Sequence, residues 1–183
     1  MSEWIVMDGW MRALDGVDLD GFDLRETALP EYDGPTVLKC RELCEGNLCG
    51  RYGTCWACPP GFDEHMDTLS RDYASAILMS RTFPCDPRDR ETVERHNAEM
   101  KAAMRRAIAA LREAGIRCRG LADGGCDLCG ECAYPEPCRH PDLLLPSISV
   151  VGIDMASYLA TLGERFEFRD DAVTFYGVIL FSE

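Results

Sequence analysis

Four cysteines lie close together in the segment 124–146, and thiols at this density are typical of a metal site. The first three follow the pattern C-x2-C-x2-C, which lets successive backbone turns direct three thiolates toward one cubane iron–sulfur cluster. Glycines and prolines around them favour turns and let the backbone approach an inorganic core. The segment therefore predicts a [4Fe–4S] cluster with four ligands: Cys126, Cys129, Cys132 and Cys138.

The spacing of the fourth ligand departs from the ferredoxin pattern. In bacterial ferredoxins three residues separate the third and fourth cysteines, a proline follows directly, and the fourth cysteine ligates the other cluster of a two-cluster protein. Here five residues separate Cys132 from Cys138, and the next proline is Pro141. Placing Cys138 on the same cluster is thus a hypothesis. A zinc site built from C-x2-C pairs is the alternative, although two successive x2 steps match zinc sites less well.

A second group of cysteines occupies residues 39–61. Three glycines favour turns there, and Pro59-Pro60 forces an extended exit, so this segment also looks like a loop shaped around a metal group. Its spacings of x3, x4, x5 and x2 match no zinc-finger pattern. We predict a second [4Fe–4S] cluster here, with the fourth ligand open between Cys44, Cys55, Cys85 and a free position. The predicted ligands are Cys40, Cys44, Cys49 and Cys58.

Composition indicates the cellular compartment of this metal chemistry and the number of domains. The chain has 11 cysteines among 183 residues and begins without the basic and apolar regions of a secretory signal. We therefore expect a cytoplasmic protein whose clustered thiols bind metal instead of forming disulfides. No apolar run is long enough to span a membrane. A hydrophobic fraction of 46% is sufficient for one domain over residues 1–183 to bury a core.

The net charge of −13 argues against a nucleic-acid partner, because nucleic acids bind basic surfaces. Four thiolates on each cubane would make the protein more negative still. An acidic surface is compatible with docking to a basic redox protein, although it also favours solubility. We expect a redox protein as partner, and the sequence identifies no small-molecule substrate.

Hydrophobic periodicity predicts an α+β fold with an α/β-like core, in which a small mixed sheet is packed by helices. Residues 74–83 are predicted to be a strand, followed by a helix that begins at Asp86-Pro87 and ends at Gly115, and then by a strand over 116–121. This order suggests a βαβ-like unit. Residues 148–162 are predicted to form a helix in two pieces, hinged at Gly152 with Asp154 as the new cap. Residues 166–169 and 173–181 predict a hairpin. The acidic N-terminal segment 1–35 is expected to start with one short strand or helix, and its Asp- and Gly-rich part, DGVDLDGFDL, is interpreted as a solvated connection.

Several motifs together resemble those of one family. They are Lys39-Cys40, Cys49-x2-Tyr52-Gly53, Cys58-Pro59-Pro60, CDLCGECAYPEPCRHP, Pro146-Ser147, Gly152-Ile153-Asp154 and the closing VTFYGVILF. The chain resembles the prokaryotic family of predicted metal-binding proteins, a domain of unknown function. The resemblance implies one ligand set of Cys126, Cys129, Cys132 and Cys138, and another that includes Cys40, Cys49 and Cys58. It implies metal binding and no particular reaction.

Three functions remain open at this point. The first is a two-cluster iron–sulfur protein that transfers electrons, alone or as a redox subunit, and is sensitive to oxygen. The second is an enzyme that uses an open iron site on a three-cysteine cluster. The third is a structural adaptor held together by zinc. Arg139, next to Cys138, is predicted to donate to cluster sulfides, with a surface salt bridge as the alternative. No nucleotide-binding or hydrolase motif is present.

Overall fold

The structure is a computed structural model that describes residues 9–183, so part of the predicted acidic segment 1–35 lies outside the described residues. Helices and strands pack against one another, and the predicted α+β class is confirmed. The helices are α1 (Gly9–Ala13), α2 (Gly34–Glu45), α3 (Met66–Leu69), α4 (Arg90–Glu113) and α5 (Met155–Thr161). The strands are β1 (Asp23–Thr27), β2 (Ser75–Pro84), β3 (Arg117–Ala122) and β4 (Ala172–Ser182). Single turns of 3₁₀ helix occur at Pro141–Leu143 and Ser149–Val151.

The four strands form one sheet in the order β1-β2-β4-β3, and each neighbouring pair is antiparallel. The predicted strand–helix–strand unit is present as β2, α4 and β3, but β4 lies between its two strands. β2 and β3 therefore run in the same direction without pairing. The one parallel pairing among the described residues is an isolated bridge between Ala122 and Ser147, which fastens the exit of the second cysteine segment to the end of β3.

Helix α4 covers one face of the sheet. Its apolar residues recur at helical spacing, and Met100, Met104 and Leu111 are almost fully buried against the strands. The predicted core role of this stripe is confirmed. The helix approaches β4 closely at Gly177, where a Cβ atom would lie 2.3 Å from the sulfur of Met104. Glycine at this position is thus required by the packing of α4.

The opposite face of the sheet is covered by α3 and by the chain after Pro146. Strand residues such as Leu78 and Val178 pack there against Ile148 and Leu159. The predicted two-piece helix is confirmed, since the 3₁₀ turn ends at Gly152, whose φ of 93° is left-handed, and Asp154 caps α5 by accepting from Ala156 N at 3.0 Å. These packed elements hold the chain on either side of the cysteine segments in place.

Three local predictions are wrong. Helix α4 is capped by Asp89, which accepts from Thr92 N at 3.2 Å, whereas Asp86 accepts from Arg88 N in a preceding turn. Residues 166–169 form no strand, so β4 pairs with β2 and β3 and has no hairpin partner of its own. The sheet is antiparallel in each of its strand pairs and not mixed, since β1, at the end of the acidic segment, also pairs antiparallel with β2.

Candidate metal centre

The second cysteine segment (residues 124–146) leaves the end of β3 and returns to it at the Ala122–Ser147 bridge. A small cavity of about 20 Å³ inside it is lined by all four predicted ligands, together with Arg139 and His140. A solvent-open depression of about 550 Å³ adjoins it and is lined by Cys129, Cys132, Arg139 and His140. The structure therefore arranges Cys126, Cys129, Cys132 and Cys138 around one common space.

The first cysteine segment (residues 39–61) is not entirely a loop, which corrects the sequence-based prediction. Cys40 and Cys44 lie on α2, four residues apart and so on one face of the helix. The helix forms here because Pro35 occupies its first turn, where a missing N–H costs nothing. The remaining cysteines of the segment follow in the irregular chain after α2.

The thiols of the first segment influence one another's pKa. Burial raises the pKa of Cys44, and the neighbouring Cys49 and Cys40 raise it further. A hydrogen bond with Cys55 is the main cause that raises the pKa of Cys58, and burial, Cys49 and Cys44 add to it. The four predicted ligands of the first segment are thus linked by electrostatic effects on one another's pKa.

Cys55, one of the candidates that the sequence leaves open for the fourth ligand, is linked to the same group of thiols. Its side chain is 4% exposed, and the Cys58 thiol donates a hydrogen bond to its sulfur, which lowers the pKa of Cys55 to about 5 although burial opposes the shift. The backbone N–H groups of Ala57 and Cys126 also donate to this sulfur. Donors from both cysteine segments therefore favour the thiolate form of Cys55.

The two segments are in direct contact at further points. Arg51 Nη1 donates to the carbonyl oxygen of Cys126 at 3.1 Å, and Trp56 Nε1 donates to that of Glu136 at 2.8 Å. The ring of Trp56 packs edge-on against Tyr134, with ring centroids 5.0 Å apart. A groove of about 510 Å³ lies between the segments and is lined by cysteines of both. The two sets of thiols therefore form one lobe of the protein.

Basic residues of α4 fasten the second segment to the body of the fold. Lys101, 4% exposed, donates through Nζ to the carbonyl oxygen of Gly125 at 2.6 Å. Arg105 pairs with Asp127 and also donates to the Leu143 carbonyl oxygen at 3.2 Å, and Arg112 donates to that of Asp142 at 2.7 Å. Sequence reasoning missed these residues. Steps of four and seven residues separate Lys101, Arg105 and Arg112, which places these basic residues on one face of α4. That pattern within the helix would have indicated them.

Lys101 is the buried member of this group. Burial lowers the pKa of Lys101, whereas the nearby carboxylates of Asp127 and Asp123 raise it. The carbonyl group that accepts from this ammonium group belongs to Gly125, the residue directly before Cys126. A positive charge is thus held at the base of the second segment.

Arg139 lies beside the cysteines as predicted, lining the cavity and the depression, and its guanidinium donates to the carbonyl oxygen of Glu131 within the same loop. Cys118 lies elsewhere, buried in the core beneath α4, where its thiol donates to Ile108 O at 3.7 Å. Cys85 follows β2, where its backbone N–H bonds Asp171 O at 3.1 Å. Neither of these two thiols lines the spaces between the segments.

In residues 9–183, no group of three or more His, Cys, Asp or Glu side chains comes together at the spacing that a single metal ion requires. The thiols line shared spaces instead of converging on one point. Over the same residues, no helix combines the length and apolarity needed to cross a membrane.

Comparison with known proteins gives one match. The model of the family described as "Predicted metal-binding protein (DUF2284)" matches residues 35–181, which include both cysteine segments and all of the sheet except β1 and the last residue of β4. No curated protein and no solved structure matches this chain. Because the match covers most of the chain, the protein belongs to this family of predicted metal-binding proteins.

Proposed function

We propose that the protein binds two [4Fe–4S] clusters and transfers single electrons, alone or as a redox subunit. The observation that carries this proposal is the adjacency of two thiol sets in one lobe, with four cysteines in the second segment and five in the first. One cluster would be held by Cys126, Cys129, Cys132 and Cys138. The other would be held by Cys40, Cys44, Cys49 and Cys58.

The chemistry of the donor sets fits such clusters. Each iron of a cubane takes one thiolate, so the four ligands of a cluster lie around a volume and do not meet at a single atom. A single zinc ion draws its ligands to one point with Zn–S bonds of about 2.3 Å, so the arrangement in the second segment suits zinc less well. A zinc-stapled adaptor is therefore the less favoured alternative.

The surrounding charges also fit. Four thiolates leave a cubane negatively charged, and Lys101, Arg105 and Arg51 lie against the second segment. Positive charges and hydrogen bonds around a cluster stabilise its more reduced state and so raise its potential. When bound, the clusters would supply one-electron redox chemistry. The protein's own residues would fix the thiolates, exclude part of the solvent and set the local charge.

The depression beside Cys129 and Cys132 opens to solvent. A cluster at that place would lie near the surface, where a partner can exchange electrons with it. The net charge of −13 favours a basic redox protein as that partner. A cytoplasmic location, with its reducing conditions, would keep the free thiols available for metal.

The decisive experiment is a metal and sulfide analysis of protein purified without oxygen. We expect brown protein with about eight irons and eight sulfides per chain, since two cubanes contain that number. Electron paramagnetic resonance of the reduced protein should show signals from both clusters. Colourless protein that carries zinc, or no metal, would overturn the proposal.

A second candidate is an enzyme with an open iron position on the first set. The observation in its favour is a pocket of about 330 Å³ that is lined in part by Cys40. If Cys40, Cys49 and Cys58 alone held the first cluster, its fourth iron would be free to bind a small ligand. Cyanide or thiol ligands should then change the spectrum of one cluster and leave that of the other unchanged. Electron transfer remains the preferred function if neither spectrum responds.

A further inference from the structure

The pocket beside Cys40 lies on the sheet face opposite α4. Its floor comes from β4 and from the end of β3, where Thr174, Tyr176 and Asp123 line it. Its walls come from α2 and from the chain over residues 148–155. At about 330 Å³ it falls in the size range of small-molecule sites, roughly 300–1,000 Å³.

Most polar groups in this pocket are already engaged with the protein. Thr174 Oγ1 bonds Thr82 Oγ1 at 2.9 Å, and Asp154 caps α5. The carboxylate of Asp123 is different, because among the described residues it forms no salt bridge within 4.0 Å and its hydrogen bonding is limited to the backbone N–H of Gly124. No hydrogen bond to another described residue engages the hydroxyl of Tyr176. Asp123 and Tyr176 therefore remain available to a ligand.

The charge around these two groups is mainly negative. Asp123 is exposed to solvent, yet the protein on its other sides raises its pKa by desolvation, and Lys101 only partly offsets this effect. Burial raises the pKa of Tyr176, and the carboxylates of Glu164 and Glu167 raise it further. Lys39 contributes a positive charge, but it lies exposed at the rim, where water screens it. This environment favours a cation over an anion.

The rest of the lining is apolar. Ile148, Ile153, Met155 and Phe166 contribute walls, and Phe166 packs against the ring of Tyr176 with centroids 5.9 Å apart. A metal cation would not suit these walls, because Ca²⁺ and Mg²⁺ require several oxygen ligands. An organic cation suits them, since its hydrocarbon part can bury against apolar side chains while its charge meets a carboxylate and an aromatic ring.

We propose that this pocket binds a small organic amine, with the ammonium group at Asp123 and Tyr176 and the apolar body against Ile148, Ile153 and Phe166. Cys40 lines the same pocket, so the bound amine lies beside the first thiol set. The pocket thus gives the metal lobe a ligand of defined chemical class. The inference rests on the pocket alone, and it holds whichever metal the thiols bind.

The test uses isothermal titration calorimetry on protein purified without oxygen, with three probes of equal shape: cyclohexylamine, cyclohexanol and cyclohexanecarboxylate. We expect the amine to bind at least tenfold more tightly than the other two. Asp123→Asn should weaken amine binding at least tenfold. The matched control is Asp170→Asn, which removes the same charge from a carboxylate that is 99% exposed in another loop, and it should leave the affinity unchanged.

A second variant keeps the proposal open to refutation if Asp123→Asn does not fold. Thr174→Lys places an ammonium group in the pocket and should abolish amine binding, and its metal content reports whether the lobe is intact. The proposal is overturned if cyclohexylamine does not bind at millimolar concentration, if cyclohexanol binds equally well, or if neither variant changes the affinity. Each of these results leaves the cluster proposal standing, because iron and sulfide are measured separately.

Discussion

The two cysteine segments reach the same lobe from different kinds of sequence. The cysteines of the second segment are regularly spaced, and the segment leaves the end of β3 and returns to it at the Ala122–Ser147 bridge. Its thiols therefore lie around a cavity within a single loop. The first segment divides its thiols between helix α2 and the irregular chain that follows, and those thiols act on one another electrostatically. A regular motif therefore builds its site locally, whereas an irregular one depends on a helix and on contacts with the rest of the lobe.

The largest effect that separates the segments should come from removing ligands of one set at a time. Cys129→Ser combined with Cys132→Ser should remove about half of the iron and sulfide, because each cubane contains four irons. Cys49→Ser combined with Cys58→Ser should remove the other half. Anaerobic metal analysis with paramagnetic resonance would tell which signal is lost.

Cys118→Ala is the matched control for this experiment, since it removes a thiol that is buried in the core beneath α4. It should lower stability by about 1 kcal/mol through a small cavity and leave the iron content unchanged. If either pair of serine variants removed all of the iron, the two sets would form one site and the comparison would fail.

Lys101 offers the next largest effect, confined to the second segment. Lys101→Met removes the donor to Gly125 O and leaves a buried carbonyl group unsatisfied, which costs about 1–3 kcal/mol. It also removes a positive charge near Cys126, so the second cluster should become harder to reduce while the first changes less. Anaerobic urea unfolding and a redox titration of both signals would measure the two effects.

Lys39→Met is the corresponding control, because Lys39 is exposed and adjoins the first set. It should leave the free energy of unfolding within about 0.5 kcal/mol of wild type, as is usual for surface changes. Equal shifts of both cluster potentials in Lys101→Met would show that the lysine acts on the whole lobe and not on one segment.

Sequence reasoning was most successful where a structure depends on neighbouring residues. Strand β2, the apolar stripe of α4, and the hinge at Gly152 with its cap at Asp154 follow from local periodicity and capping, and all are present. Helix α4 begins later than predicted, because Asp89 and not Asp86 accepts from a backbone N–H of its first turn.

The features that the sequence did not predict depend on contacts between residues that are far apart in the chain. No pattern within β2, α4 and β3 indicates that β4 inserts between the two strands, because that pairing joins residues about a hundred positions apart. The same holds for Lys101, whose partner Gly125 lies in the second cysteine segment, and for the contact of Cys55 with Cys126. The grouping of the second thiol set followed from its spacing, whereas the helical placement of Cys40 and Cys44 did not, since the cysteine spacing suggested a loop.

The coupled pair in the first segment predicts a pH effect in metal-free, reduced protein. The pKa of Cys55 falls from its ordinary value of 9.0 to about 5, while that of Cys58 is raised, so the folded pair holds one proton between about pH 5 and 9. The unfolded chain holds two protons there. Stability should therefore rise with pH across this window, by at most about 1.4 kcal/mol per pH unit, and fall above it.

Urea unfolding of metal-free protein at several pH values would measure that slope. Cys55→Ala combined with Cys58→Ala should remove this contribution, whereas Leu48→Ala, at a residue 96% exposed in the same segment, should retain it. An unchanged slope in the double variant would show that the two thiols do not share a proton, and the electrostatic distinction between the segments would be lost.

The smallest expected effect concerns the contact that joins the segments. Trp56→Phe removes the donor to Glu136 O while keeping an aromatic ring against Tyr134, and because this hydrogen bond is exposed to solvent, the loss should be about 0.5–1 kcal/mol. Both cluster signals should persist, with faster loss of iron to a chelator, since the lobe opens more easily. The control is Trp10→Phe, which removes an indole donor to Glu26 outside both cysteine segments and should leave the chelation rate unchanged. Equal rates in Trp56→Phe and wild type would mean that the two segments hold their metal independently.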